Sequence, residues 1–153
     1  MTEIRFYHLE QQSSEQALPA LVEEAFARRV NIVVEAPDKA FLERLDERLW
    51  TFSDESFLPH EIAGEGGETP PIVLTTRSDN PNGAKVRFLL AGAKADPGLA
   101  ASPAPYEQIV ILFNGSDEIE IGAARAQWAD LKAAGRAISY WRQREGGDWE
   151  KAR

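Results

Sequence analysis

Apolar positions near the start of the chain switch between two periods. Ile4-Arg5-Phe6-Tyr7-His8-Leu9 is short and aromatic-rich, the pattern of a strand. Leu18, Leu21, Val22, Ala25 and Phe26 then form one helical stripe, which ends at Arg28-Arg29, where cations suit a helix C-terminus. Ser13 and Gln16 stand in capping-box spacing ahead of it, and Pro19 predicts a helix that starts late or bends. Asn31-Ile32-Val33-Val34-Glu35-Ala36 carries the β-branched run of a strand buried on both faces, as in a parallel sheet. Pro37-Asp38 opens a second helix, with Phe41, Leu42, Leu45 and Leu49 facing inward. Strand, helix, strand, helix predicts an α/β domain with right-handed crossovers.

Beyond residue 70 the strand period dominates. Ile72–Thr76, Val86–Gly92 and Ile109–Asn114 read as strands, separated by an Asp79-Asn80-Pro81-Asn82-Gly83 turn and an Ala-, Pro- and Gly-rich loop over 93–105. Asp117 can cap a last helix whose first turn holds Glu118 and Glu120, with Gly135 as its stop. Ile121, Ala124, Trp128, Leu131 and Gly135 share one face of that helix. Ala137–Gln143 alternates like a short edge strand. The expected organisation is a single α/β domain over 1–145, with a mostly parallel central sheet, and a polar C-terminal tail over 146–153.

Composition narrows the class. At 153 residues, 43% hydrophobic and 27% charged, the chain can bury the core of one folded domain. It has no cysteine, hence no disulfide and no thiolate metal cage. No apolar run reaches the roughly 18 residues a membrane span needs. The Met-Thr-Glu-Ile-Arg-Phe start shows no signal-peptide pattern, so a cytoplasmic location is expected. The net charge of −8 argues against broad direct binding to nucleic acid. Residues 121–153, however, hold seven Lys/Arg against four acids, and residues 1–120 hold ten against 21. A basic end on an acidic body suits a local site for an acidic partner.

Catalytic signatures are missing. The Ala63–Pro71 stretch is glycine-rich, but no Gly-Lys-Ser/Thr follows and Glu65 and Glu68 sit inside it, so it reads as a connector. A nucleotide- or sugar-phosphate-binding enzyme using the Gly64–Gly67 loop is the competing class. No Gly-x-Gly-x-x-Gly follows the first strand and no Gly-x-Ser-x-Gly surrounds a serine. His8 and His60 have no second His at ligand spacing, and both read as structural or surface residues. The expectation is no catalytic residue, no metal and no cofactor. Two features stand out instead. Trp50, Phe52 and Phe57 place three aromatics within eight residues around a turn. Arg125, Trp128, Lys132 and Arg136 set an indole beside cations on the last helix. Spacing alone leaves that stripe open between a solvated boundary and a groove for a peptide carrying an aromatic and carboxylates.

Several of these segments resemble the chi subunit family of bacterial DNA polymerase III holoenzyme. They are Phe6-Tyr7, Leu45-Asp46-x-x-Leu49-Trp50-Thr51-Phe52, Ser56-Phe57-Leu58-Pro59-His60, Ala124-Arg125-Ala126-x-Trp128, Ala134-Gly135 and Tyr140-Trp141-x-Gln143. The resemblance runs over nearly the whole chain. It implies a non-catalytic, Rossmann-like three-layer protein that binds no nucleotide and meets DNA only indirectly. It implies two partners: the psi subunit, which links chi to the clamp loader, and the acidic C-terminal tail of single-stranded DNA-binding protein, which ends in Pro-Phe. The tail would bind at Arg125, Trp128 and Lys132, with Trp50 facing that groove. The psi contact would fall at Phe57, with Pro59 beside it. Ala129 stands where many relatives carry Lys, which bears on the tail's affinity.

Overall fold

The apolar runs form strands and the amphipathic ones helices. In chain order the elements are β1 (Glu3–Leu9), α1 (Ser14–Phe26), β2 (Ile32–Glu35), α2 (Lys39–Thr51), β3 (His60–Ile62), β4 (Ile72–Thr75), β5 (Val86–Leu90), β6 (Gln108–Asn114), α3 (Glu118–Ala133), β7 (Ala137–Gln143) and β8 (Trp149–Lys151). The structure, a computed structural model, describes residues 2–51, 58–63, 70–77, 79–90 and 106–152. Phe57, the Gly64–Gly67 loop and the 93–105 loop lie outside the described residues. None of the helices among the described residues is long and apolar enough to cross a membrane.

Local signals set the helix ends. Ser13 Oγ accepts from Gln16 N while Gln16 Oε1 accepts from Ser13 N, a reciprocal cap that starts α1 at Ser14. Pro19 therefore neither delays the helix nor defines its start; it sits buried inside α1 and removes one i→i−4 donor. Asp38 accepts from Phe41 N at 2.8 Å at the head of α2. Asp117 accepts from Ile119 N and Glu120 N at the head of α3. That helix ends on Gly135, whose φ of 73° lets Arg136 N reach Leu131 O.

The strands join one mixed sheet in the order β3-β4-β2-β5-β6-β1-β7-β8, parallel throughout except for the β7–β8 pair. From β1 the chain steps to β2 and then β3, toward one edge, with α1 and α2 on one face. From β6 it crosses β1 to β7, toward the other edge. A right-handed crossover in the opposite direction must use the opposite face, so α3 packs on the far side. The core splits accordingly. Leu18, Val22, Leu42 and Leu45 pack with Val34, Phe88 and Val110. Ala124 and Leu131 pack with Phe6, Ile109 and Ile111 on the other side. This is a three-layer α/β domain, as the strand and helix pattern predicts.

Two strands depart from the sequence expectation. β3 is an edge strand where the residues read as part of a turn. β8 lies within the expected polar tail and pairs with β7, so β7 is interior rather than an edge. Trp149 explains it: its ring stacks on Tyr7 at 4.4 Å, with Trp141 edge-on to Tyr7 at 6.3 Å. A tail that buries an indole gains enough apolar contact to order a short hairpin.

The direction in which the connections step across the sheet reverses between β1 and β6, the position where open α/β sheets hold ligands. Here the chain's own groups occupy the crevice. Ser14 N donates to Asn114 Oδ1 at 3.0 Å, Asn114 N donates to Glu120 at 3.2 Å, and Gly115 N donates to Leu9 O at 2.8 Å. Burial holds the Glu120 carboxyl above the usual glutamate range, although the Asn114 bonds oppose this.

Candidate functional site

A cavity of about 600 Å³ opens on the α3 face of the sheet. Strand alternation supplies its floor. Phe6 and His8 of β1 point to this face, and the parallel register sets them beside Tyr140 and Arg142 of β7. On the other side of β1, His8 pairs with Phe113 of β6. Helix α3 supplies the wall through Ile121, Ala124, Arg125 and Trp128, which recur at helical spacing. Ala152, after β8, lies at the margin.

The rings form one connected set. Trp128 meets Phe6 edge-on at 5.3 Å and Tyr140 edge-on at 6.0 Å. Phe113 lies 6.1 Å from Tyr140 and 5.0 Å from His8. These are the spacings at which aromatic pairs attract, and they leave a rigid apolar bed for a further ring.

The charge over this bed is cationic. Arg125 and Arg142 both line the cavity and both are exposed, and no carboxylate lines it among the described residues. Glu10 stands beside it: its Oε1 lies 3.4 Å from Arg142 Nε and 3.7 Å from His8 Nε2. His8 Nδ1 is hydrogen-bonded to the Tyr140 hydroxyl. Burial pushes the His8 imidazole below the usual histidine value, and Arg142 and Arg125 push the same way against the pull of Glu10. At neutral pH His8 is therefore uncharged.

The residues singled out from sequence divide. Arg125 and Trp128 stand together on the cavity wall. Lys132 follows one turn later on α3, exposed and outside the lining. Trp50 does not join them. It ends α2, on the opposite face, where its 53% exposed ring lies 4.5 Å from buried His60 of the far edge strand. The expectation that Trp50 faces the Arg125–Trp128 groove fails because the two helices follow crossovers of opposite direction. Pro59 is half-buried between buried Leu58 and His60, close to Trp50 in the fold.

His8, Tyr140 and Arg142 were not in the sequence-derived site. Their only sequence signal is parity: Phe6 and His8, like Tyr140 and Arg142, are alternate residues of their strands. Parity says which residues share a face, but not which strands are neighbours. Among the described residues no group of three or more His, Asp or Glu could hold a metal ion. A second cavity, about 520 Å³, lies at the ends of β3 and β4. It mixes Lys39 and Arg77 with Asp79 and offers no aromatic ring among its described lining.

Fold and site together define a single-domain α/β protein with an aromatic, cationic cavity on one face of a mostly parallel sheet. The family described as "DNA polymerase III chi subunit, HolC" matches residues 1–139, and the chain belongs to that family. It is similar to the DNA polymerase III subunit chi of Pseudomonas aeruginosa, 33% identical over 73 residues, 46% of this chain and 51% of the relative. It is also similar to the probable DNA polymerase III subunit chi of Rickettsia prowazekii, 27% identical over 92 residues, 60% of this chain and 56% of the relative. The matched stretches thus span little more than half the length of these curated relatives.

Proposed function

We propose that this chain is a non-catalytic, cytoplasmic accessory subunit of the bacterial DNA polymerase III clamp-loader complex. In that role it binds the acidic C-terminal tail of single-stranded DNA-binding protein in the α3-face cavity, and binds the psi subunit elsewhere. The observation that carries this reading is the meeting of Arg125 and Trp128 over the Phe6–Phe113–Tyr140 bed, with no lining carboxylate among the described residues. A peptide ending in Pro-Phe matches both halves. Its ring packs on the bed, and its carboxylates meet Arg125 and, further along α3, Lys132. With a net charge of −8, the protein reaches DNA through that partner rather than directly.

The psi contact is assigned to Phe57 and Pro59, and Pro59 directly precedes the far edge strand β3. Trp50 belongs with it on geometry, since its exposed ring lies against His60, the residue after Pro59. Helices α2 and α3 pack on opposite faces of the sheet, so partners docked at Trp50 and at Trp128 would not collide.

Titration with a peptide ending in Asp-Ile-Pro-Phe tests the tail site. Affinity on the order of micromolar is expected from so few contacting residues. Arg125→Ala should weaken it about tenfold or more, through loss of a charge-assisted contact of roughly 1.5–3 kcal/mol. Binding unchanged in both Arg125→Ala and Trp128→Ala would place the tail elsewhere. Phe57→Ala should abolish co-purification with psi and leave the peptide isotherm as it was.

A further inference from the structure

We propose that Arg142 grips the terminal carboxylate of the bound tail opposite Arg125, and that Glu10 is a built-in competitor for Arg142. The inference rests on the tail-binding reading of the cavity and assigns it a second cation and a brake.

The geometry separates three cations by role. Arg125 and Arg142 line the same cavity from different elements, one from α3 and one from β7, so they flank whatever ring lies between them. Lys132 stands outside the lining and suits the tail's upstream acids instead. A terminal carboxylate follows its own aromatic side chain by only a few atoms. It must therefore stay near the bed that holds the ring, which is where Arg142 is. The guanidinium offers a planar fork of donors, the shape that takes a carboxylate through two parallel hydrogen bonds.

Glu10 already borrows that site. Its Oε1 lies 3.4 Å from Arg142 Nε, with side chains 54% and 38% exposed for Arg142 and Glu10. Exposed pairs of this kind contribute little and are screened by salt, so an arriving carboxylate can displace it. The same oxygen lies 3.7 Å from His8 Nε2, so Glu10 stands at the mouth of the cavity, where its charge opposes an anionic ligand. Glu10 follows β1 directly and does not line the cavity, so removing its charge leaves the aromatic bed intact.

The test uses the full chain and two peptides ending in Asp-Ile-Pro-Phe, one with a free C-terminal carboxylate and one amidated. Arg142→Gln should weaken binding of the free acid about fivefold to tenfold, with little effect on the amide, which has no terminal charge to lose. Glu10→Gln should tighten the free acid about twofold to fivefold, a gain that misfolding cannot produce, and that gain should vanish in the Arg142→Gln background. If Arg125→Ala weakens binding while Arg142→Gln and Glu10→Gln both match the parent, the inference is overturned and the tail site stands. If the parent binds neither peptide, the tail reading itself fails.

Discussion

Arg87 and Arg142 extend from the same face of the sheet, three strands apart, and the protein treats them in opposite ways. Arg87 of β5 is fully buried and its donors are directed inward. It pairs with Glu35 of β2 and donates to Asp79 O at 2.9 Å, Arg77 O at 2.7 Å and the Tyr106 hydroxyl at 3.0 Å. Those contacts tie the turn after β4 down onto the sheet. Arg142 of β7 is exposed, and its ion-pair partner among the described residues, Glu10, is held loosely. A buried arginine draws its partners from the protein, as Arg87 does for all but its Nε, so it contributes structure rather than a contact for a ligand. An exposed arginine on an aromatic bed keeps its valence for a visitor. Position relative to α3 makes the difference: the helix leaves an open cavity beside β1 and β7, whereas β2 and β5 are covered.

Substitutions can break this contrast at either end. The largest effect should come from Arg87→Met, which leaves the Glu35 carboxylate buried without its cation. A loss of about 3–5 kcal/mol is expected in urea unfolding, with the peptide affinity of the remaining folded protein unchanged. A loss no greater than that of a surface arginine would show that the clasp does not hold the turn.

Gly115 links the two regimes. A Cβ there would meet His8 Nε2 at 2.2 Å and the Leu9 carbonyl oxygen at 2.8 Å, and backbone cannot swing aside as a side chain can. Gly115→Ala should cost roughly 1–3 kcal/mol of stability by overpacking. It should also weaken tail binding by displacing His8 at the cavity floor. Calorimetric unfolding and peptide titration on one preparation read both consequences.

Lys132→Ala should have a smaller effect, on binding only. Its cation is exposed and outside the lining, so a loss of about threefold is expected, disappearing as salt is raised. A loss as large as that of Arg125→Ala would shift the tail along α3.

The smallest effect is a pH dependence centred on His8, which is faced by Glu10, Arg142, Tyr140 and Arg125. Its folded value lies below the usual histidine value near 6.5. Between 6.5 and that lower value the unfolded chain binds more protons than the folded one. Stability is therefore fully present above 6.5 and declines as pH falls through this window. A carboxylate bound beside the imidazole favours its charged form, so tail affinity should rise modestly as pH falls from 7.5 to 6. His8→Gln should flatten both profiles; a slope that survives this substitution belongs to another group.

Much of the architecture is written locally. The Ser13–Gln16 box, the Asp117 cap, the Gly135 stop and the β-branched runs at Ile32–Glu35 and Ile109–Phe113 each act over a few residues, so the sequence by itself determined those elements and their inward faces. It also placed Arg125 and Trp128 on one helix face, since helical spacing needs no tertiary information. Strand order is different in kind. Only long-range pairing sets β1 between β6 and β7, and only that placement brings His8 and Phe6 beside Arg142 and Tyr140, more than a hundred residues away. The same order and the handedness of the crossovers send α2 and α3 to opposite faces, which parts Trp50 from Trp128. The chain's local chemistry named half of the cavity, and the sheet's topology supplied the other half.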